Sequence, residues 1–265
     1  FEAISGASTS QLWQPGFIAA FAGGAFASMV VGVVPAFVRH RNLADAAIDG
    51  LNGGYANVGF VGFPLLLTTF GAPGAVFATT SAVVTTAVVF GVGIALIEVS
   101  RSDDPHPLRV SVQVAQAVAR NPIVLGSALA IALKVAGIES PASVHTVLRL
   151  LGGAATPCAL VALGMFLAFP REETRAAPGL ATWLVTVKLL LHPGLTWLLA
   201  RVAFGLPATA TQAAVLLAAL PAGTGSFMLA EYYGRDASIS SRVIIITTLL
   251  SVVTAAFTIN LLPRL

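Results

Sequence analysis

Leu51-Asn52-Gly53-Gly54-Tyr55-Ala56-Asn57-Val58-Gly59-Phe60-Val61-Gly62-Phe63-Pro64 is the stretch that decides how this chain folds. It lies inside an apolar run over about 46–70, long enough to cross a bilayer, yet it carries four glycines, two asparagines and a proline. Glycine removes the penalty for non-helical dihedrals, and proline removes a backbone donor and clashes with the turn before it. The run should therefore break in its middle. Leu220-Pro221-Ala222-Gly223-Thr224-Gly225-Ser226-Phe227, inside a second run over about 209–233, carries the same instruction. Freed backbone groups are tolerated at membrane depth only where they face protein or a wet cavity. Two Gly/Pro-interrupted spans at corresponding positions of two halves are a sequence pointer to the binding site of a transporter.

The rest of the chain supports a membrane setting. Of 265 residues, 57% are apolar and only 9% are charged, against about 25% charged in a soluble domain. Such a chain cannot dress a water-facing surface. Apolar runs occur at about 16–38, 46–70, 75–98, 120–137, 143–169, 179–204, 209–233 and 243–262, which makes eight spans of roughly 20 residues. The runs are apolar all round, without the alternation of a membrane barrel, so the fold class is all-α integral membrane. Gly24, Ser28 and Gly32 in the first run are small residues at helical spacing, as close packing in lipid requires.

Sorting the fourteen Lys and Arg residues by loop gives an orientation. Arg39, Arg41, Arg101, Arg109, Arg120, Arg171, Arg175, Arg235 and Arg242 fall on one side. By the positive-inside rule that side is cytoplasmic and the C-terminus is external, with Arg201 and Arg264 in the remaining positions. Basic residues scattered in this way are no nucleic-acid footprint. The longest loop, 101–119, divides the chain. Five spans follow it, and five is odd, so two such repeats insert with opposite orientation. Only three spans precede it, which predicts about fifty residues ahead of Phe1, two spans' worth. In each half the break lies in the span before the last.

Asn57-Val58-Gly59-Phe60-Val61-Gly62-Phe63-Pro64-Leu65, Arg120-Asn121-Pro122, Leu163-Gly164-Met165-Phe166-Leu167-Ala168, Val187-Lys188-Leu189-Leu190-Leu191-His192-Pro193 and Ala219-Leu220-Pro221 through Ala230 follow one another in order. With these stretches the chain resembles the auxin efflux carrier family, within the bile acid/arsenite/riboflavin transporter superfamily. The resemblance implies ten helices in inverted five-helix repeats, of which about eight are complete here, the first and half of the second being absent. Residues 1–14 would be the remnant of the second helix and an external loop. Residues 15–100 and 171–265 would form the two halves of a mobile transport bundle, 101–119 a cytoplasmic loop and 120–170 scaffold helices. It further implies an elevator-like movement, two broken helices crossing at the substrate site, and a homodimer through the scaffold. Plant members of the family carry indole acetate, and bacterial relatives are linked to malonate, malate or similar carboxylates. The short central loop, and Ala56 where the first crossover proline would stand, depart from the plant pattern.

At such a crossing two half-helix N-termini present unpaired N–H groups to a common point, which suits a carboxylate. Asn57, flanked by Tyr55 and Val58, supplies an amide beside the first break; its side chain either touches substrate or caps the broken helix. Beside the second break stand Pro221, Gly223, Thr224 and Gly225. Gly53, Gly59, Gly62 and Pro64 are expected to shape and pack the helix. Lys188 lies about 13 Å into its span at 1.5 Å per residue. It is either an anion counter-charge or half of a buried structural pair with Glu231, Asp49 or a helix C-terminus, and His192 shares its helical face. Asp45 and Asp49 read as N-terminal charges of their helix, Lys134 as a snorkelling side chain, and Arg149 stays open between the two. His40 and His145 give no special signal.

The motifs of zinc proteases, serine hydrolases and nucleotide-binding loops are missing from the sequence, and a single Cys158 provides no Cys-rich metal site. No cofactor is expected, and a coupling ion, proton or sodium, stays open. The expected activity is secondary transport of a small organic anion. The alternatives are a sodium-coupled bile-acid-type symporter and a non-transporting receptor or channel on the same fold.

Overall fold

A computed structural model describes residues 14–38, 42–101, 122–138, 141–168 and 178–261, with six positions from 108 to 119. The expected remnant at 1–13, His40, and the basic residues Arg39, Arg41, Arg109, Arg120, Arg171, Arg175 and Arg264 lie outside the described residues. Ten helices have described bounds: α1 (Pro15–Val38), α2 (Leu43–Gly54), α3 (Val58–Phe70), α4 (Ala72–Arg101), α5 (Pro122–Val135), α6 (Ala142–Ala168), α7 (Gly179–Ala203), α8 (Ala208–Ala218), α9 (Gly225–Tyr232) and α10 (Ser238–Leu261). No strand occurs among the described residues. The apolar runs and the helices coincide to within a few residues.

Among the described residues four helices, α1, α4, α7 and α10, are long and apolar enough to cross a membrane. The runs 46–70 and 209–233 each form two helices instead of one. They part at 55–57, directly after Gly53 and Gly54, and at 219–224, which holds Pro221 and Gly223, so each pair of half-helices is as long as one span. α5 rises about 21 Å at 1.5 Å per residue, short of the roughly 30 Å hydrocarbon core. Within 101–119, read from the sequence as a cytoplasmic loop, Leu108, Ser111, Val112, Ala115, Gln116 and Ala119 are helical.

Three groups of buried side chains hold eight of the helices together. Phe17, Phe21, Leu66, Phe77, Leu217 and Leu220 join α1, α3, α4 and α8. Met29, Ile48, Leu51, Ile94, Ile97 and Leu229 join α1, α2, α4 and α9. Leu180, Leu184, Val243 and Ile244 join α7 to α10. Both halves of the sequence thus share their cores. α5 and α6 stand against this body through α4 and α3, with Leu125, Leu129, Ile131, Leu150 and Leu151 exposed.

Lipid tails are as apolar as leucine, so close helix contact depends on small residues that let backbones approach. α1 and α2 achieve this with glycines on both sides. A Cβ at Gly54 would run into Ala25 O, one at Gly53 would lie 2.9 Å from Ser28 O, and one at Gly32 would lie 3.1 Å from Asp49 O. Gly24 faces α7, where a Cβ would collide with Thr196. Backbone atoms cannot step aside as a flexible side chain can. Gly54→Ala should therefore cost about 1–3 kcal/mol through overpacking, read as a lower Tm of the detergent-solubilised protein. Gly194→Ala, where nothing lies within 4 Å, should be neutral or slightly stabilising in the same measurement, as expected within a helix.

Candidate functional site

The two breaks meet. Ala56 and Ala222 form an antiparallel bridge, in which Asn57 N donates to Pro221 O and Gly223 N donates to Tyr55 O, both at 2.9 Å. Four backbone groups released by unwinding are thereby satisfied inside the protein, as apolar surroundings require. The bridge has two-fold symmetry that pairs residue 55 with 221 and 57 with 223. Tyr55 is therefore the two-fold counterpart of Pro221 in the bridge. Ala222 N donates to Thr247 Oγ1 of α10 at 3.0 Å.

Asn57 turns the chain into α3. Its φ of −76° and ψ of 62° form an inverse γ-turn, closed by Val58 N donating to Ala56 O at 2.8 Å. Asn57 Oδ1 accepts from Phe60 N at 3.2 Å, so the side chain caps the helix. Its Nδ2 is buried and meets no partner. Capping consumes one end of the amide and leaves the other as an unused donor. Val58 is buried, Gly59 is exposed, and a Cβ at Gly62 would lie 2.7 Å from Leu220, so Gly62 packs against the second break. Pro64 stands in the first turn of the regular helix, where its missing N–H costs least.

On the other side Thr224 leads into α9. Gly223 and Gly225 are glycines for a reason not visible in sequence. A Cβ at Gly223 would collide with the Tyr55 ring, and one at Gly225 would lie 2.9 Å from Phe90 and 3.0 Å from Tyr55. Tyr55 and Phe90 are themselves in contact, centroids 5.5 Å apart. The N–H groups of a helix's first turn have no partner within the helix itself, and of those in α3 Phe60 N is met by Asn57 Oδ1. Both helix starts thus turn their positive dipole ends toward the bridge, and Asn57 Nδ2, in the first break, is buried beside them without a partner.

Sequence reading overlooked Asn52. Its Oδ1 accepts from Ser226 Oγ at 2.6 Å and its Nδ2 donates to Ser240 Oγ at 2.9 Å. All three residues are fully buried. The network ties the end of α2 to the start of α9 and to α10, and only the high polarity of a residue inside an apolar run could have signalled it.

Lys188 is completely buried. Its Nζ donates to Ala218 O, the last residue of α8, at 2.6 Å and lies 3.1 Å from His192 Nδ1. Of the partners considered from sequence, a helix C-terminus is the one that meets Nζ; its carbonyls carry partial negative charge. Pro193 has no N–H to give, and the turn before it widens, so that His192 N reaches back to Val187 O. Lys188 sits in this widened turn. With an ammonium at Lys188, Nδ1 of His192 accepts and the ring proton resides on Nε2, which is buried without a partner.

The remaining charged residues lie elsewhere. Asn42, not Asp45, caps α2, receiving Ala44 N at 2.8 Å. Asp45 takes Arg235 in a bidentate pair at 2.7 Å, which holds the guanidinium above its ordinary pKa. Asp49 is buried, while Glu231 and Arg149 are exposed and Lys134 ends α5. Among the described residues no cluster of His, Cys, Asp and Glu could hold a metal ion.

The second break relies on its hydroxyl partners. Thr247→Val keeps the shape and removes the acceptor of Ala222 N, leaving a buried donor unmet at a cost of about 1–3 kcal/mol. Ser226→Ala should lose a similar amount. Thr248→Val, whose hydroxyl bonds only Ile244 O, should stay within about 0.5 kcal/mol; Tm values of the three variants compare directly.

A family model described as membrane transport protein matches residues 1–259. A Rhizobium meliloti protein named "Putative malonate transporter" is 30% identical over 255 residues, covering 96% of this chain and 79% of the relative. The "Uncharacterized transporter YfdV" of Escherichia coli K12 is 29% identical over 218 residues, covering 81% of this chain and 68% of the relative. The "Probable auxin efflux carrier component 1b" of rice is 30% identical over 115 residues, 43% of this chain and 21% of the relative. With two interrupted spans meeting inside a helical membrane body, the chain belongs to the membrane transport protein family that includes the auxin efflux carriers, and is a transporter rather than an enzyme.

Proposed function

We propose that the protein is a secondary transporter of small organic anions, mono- or dicarboxylates of malonate size, held where the two broken helices cross. The observation that carries this reading is Asn57 Nδ2, a buried amide donor without a partner, beside the starts of α3 and α9. Donors and helix-dipole ends of one sign, with no acidic side chain at the bridge among the described residues, favour a carboxylate. The name of the Rhizobium meliloti relative points to the same substrate class. Thr224 adds a hydroxyl and Gly225 a backbone donor, Tyr55 and Val58 wall the site, and Gly223 and Pro221 hold its backbone. Lys188 contributes positive charge from behind α8.

Alternating access would then be an elevator movement of α1–α4 with α7–α10 against α5–α6, in the inner or plasma membrane, with Arg101, Arg235 and Arg242 on the cytoplasmic side. The shared cores of the eight helices support their moving as one body. Sodium-coupled carriage of larger amphipathic anions fits less well, since Asn52, Ser226 and Ser240 already bond one another.

Malonate should raise the Tm of the purified protein in a concentration-dependent way and exchange by saturable counterflow in proteoliposomes. Asn57→Ala should weaken malonate binding at least about tenfold, the loss of one charge-assisted hydrogen bond. Unsaturable flux would indicate a channel. Absence of binding and flux for a panel of carboxylates, with Asn57→Ala indistinguishable from the parent, would sink the proposal.

A further inference from the structure

Lys188 and His192 stand one turn apart on α7, both fully buried, with Nζ 3.1 Å from Nδ1. Two cations at hydrogen-bond distance in a dehydrated site repel strongly, so amine and imidazole hold a single proton between them. The helices packed against this stretch are α1, α2, α8 and α10. α1 and α8 bear no titratable side chain. α2 brings Asp45, which is engaged by Arg235, and the buried Asp49; α10 brings Arg242. Further along the same face of α7, Thr196 Oγ1 is buried without a partner, as are His192 Nε2 and Ser28 Oγ of α1. A lysine needed only as a helix cap requires neither an imidazole at its ammonium nor a row of open polar atoms beyond it.

We infer that Lys188 and His192 together form a proton-binding site that couples anion movement to a pH gradient, an inference that rests on the carboxylate-transport reading. In loading, the Lys188 amine takes one proton from water on one side of the membrane. The ammonium so formed donates to Ala218 O and His192 Nδ1. In unloading, that N–H bond breaks, the proton returns to water on the other side, and a neutral amine remains. No electrons are exchanged. The loaded site is cationic and lies behind the helix that leads to Pro221, so proton and carboxylate favour each other's binding and travel together. In the conformation described here both groups are closed to water, as a coupled site is between loading and release.

Two measurements on the full chain test this. The first needs no substrate. The protein has four histidines, and isotope-labelled histidine NMR in nanodiscs assigns the His192 ring by its loss in His192→Gln. Its signal should respond to pH between about 5 and 9, and the response should vanish in Lys188→Met. A His192 signal that is constant over this range, or a titration unchanged in Lys188→Met, would overturn the inference. The second follows malonate in proteoliposomes. An inward gradient of roughly one pH unit should drive up to about tenfold accumulation, for one proton per anion. The ratio of gradient-driven uptake to counterflow should fall to about one in His192→Gln. It should fall likewise in Lys188→Arg, which keeps a donor for Ala218 O but cannot release its proton. Uptake in these variants that still follows the gradient would overturn the inference. A parent protein without carboxylate counterflow would remove the transport reading, and the NMR titration would then decide the proton site by itself.

Discussion

Everything in this structure follows from one requirement: a backbone group freed inside a bilayer must find a partner within the protein. Unwinding one span at 55–57 and another at 219–224 would leave several such groups bare, each costing several kcal/mol in apolar surroundings. Placed side by side, the two unwound segments bond each other through Asn57, Pro221, Gly223 and Tyr55. The γ-turn at Asn57 and the hydroxyl of Thr247 serve further groups. Neither break is affordable alone; together they form a small antiparallel element whose surroundings are helix starts.

The same economy governs the charge. Lys188 could not be buried among leucines without acceptors, and it finds one at the end of α8. That end is itself produced by the second break, because a continuous helix would have used the Ala218 carbonyl internally. Lysine and break are thus each a condition for the other. Asn52, Ser226 and Ser240 play a comparable part on the opposite flank, where a fully bonded polar cluster holds α2, α9 and α10 in one arrangement.

Much of this was legible in the sequence, and the physical reason is that its signals are local. Glycine and proline at membrane depth mark where a helix stops, whatever surrounds it, and apolar length marks where one crosses. Asn57 could be read as capping or as binding; Oδ1 caps while Nδ2 meets no partner. What depends on distant partners was not legible. The carbonyl that Lys188 meets is thirty residues away, and Ser226 is 174 residues from Asn52. Nor was it legible that the glycines at 223 and 225 make room for the rings of Tyr55 and Phe90. Asp45 does stand in the first turn of α2, as read, but that Asn42 does the capping and Arg235 takes the carboxylate needed the structure. The two-fold relation of Pro221 to Tyr55 also required the bridge itself.

The bridge at Ala56 and Ala222 fixes the register of the two halves, and a residue slip would break both of its hydrogen bonds. A site built on so short and so fully bonded an element is a rigid object. Were it carried intact from one side of a membrane to the other, as proposed, it would have one dissociation constant, the same facing either solution. Such a carrier equilibrates its cargo and goes no further; concentrating power has to be brought by a second ligand whose own chemical potential differs across the bilayer.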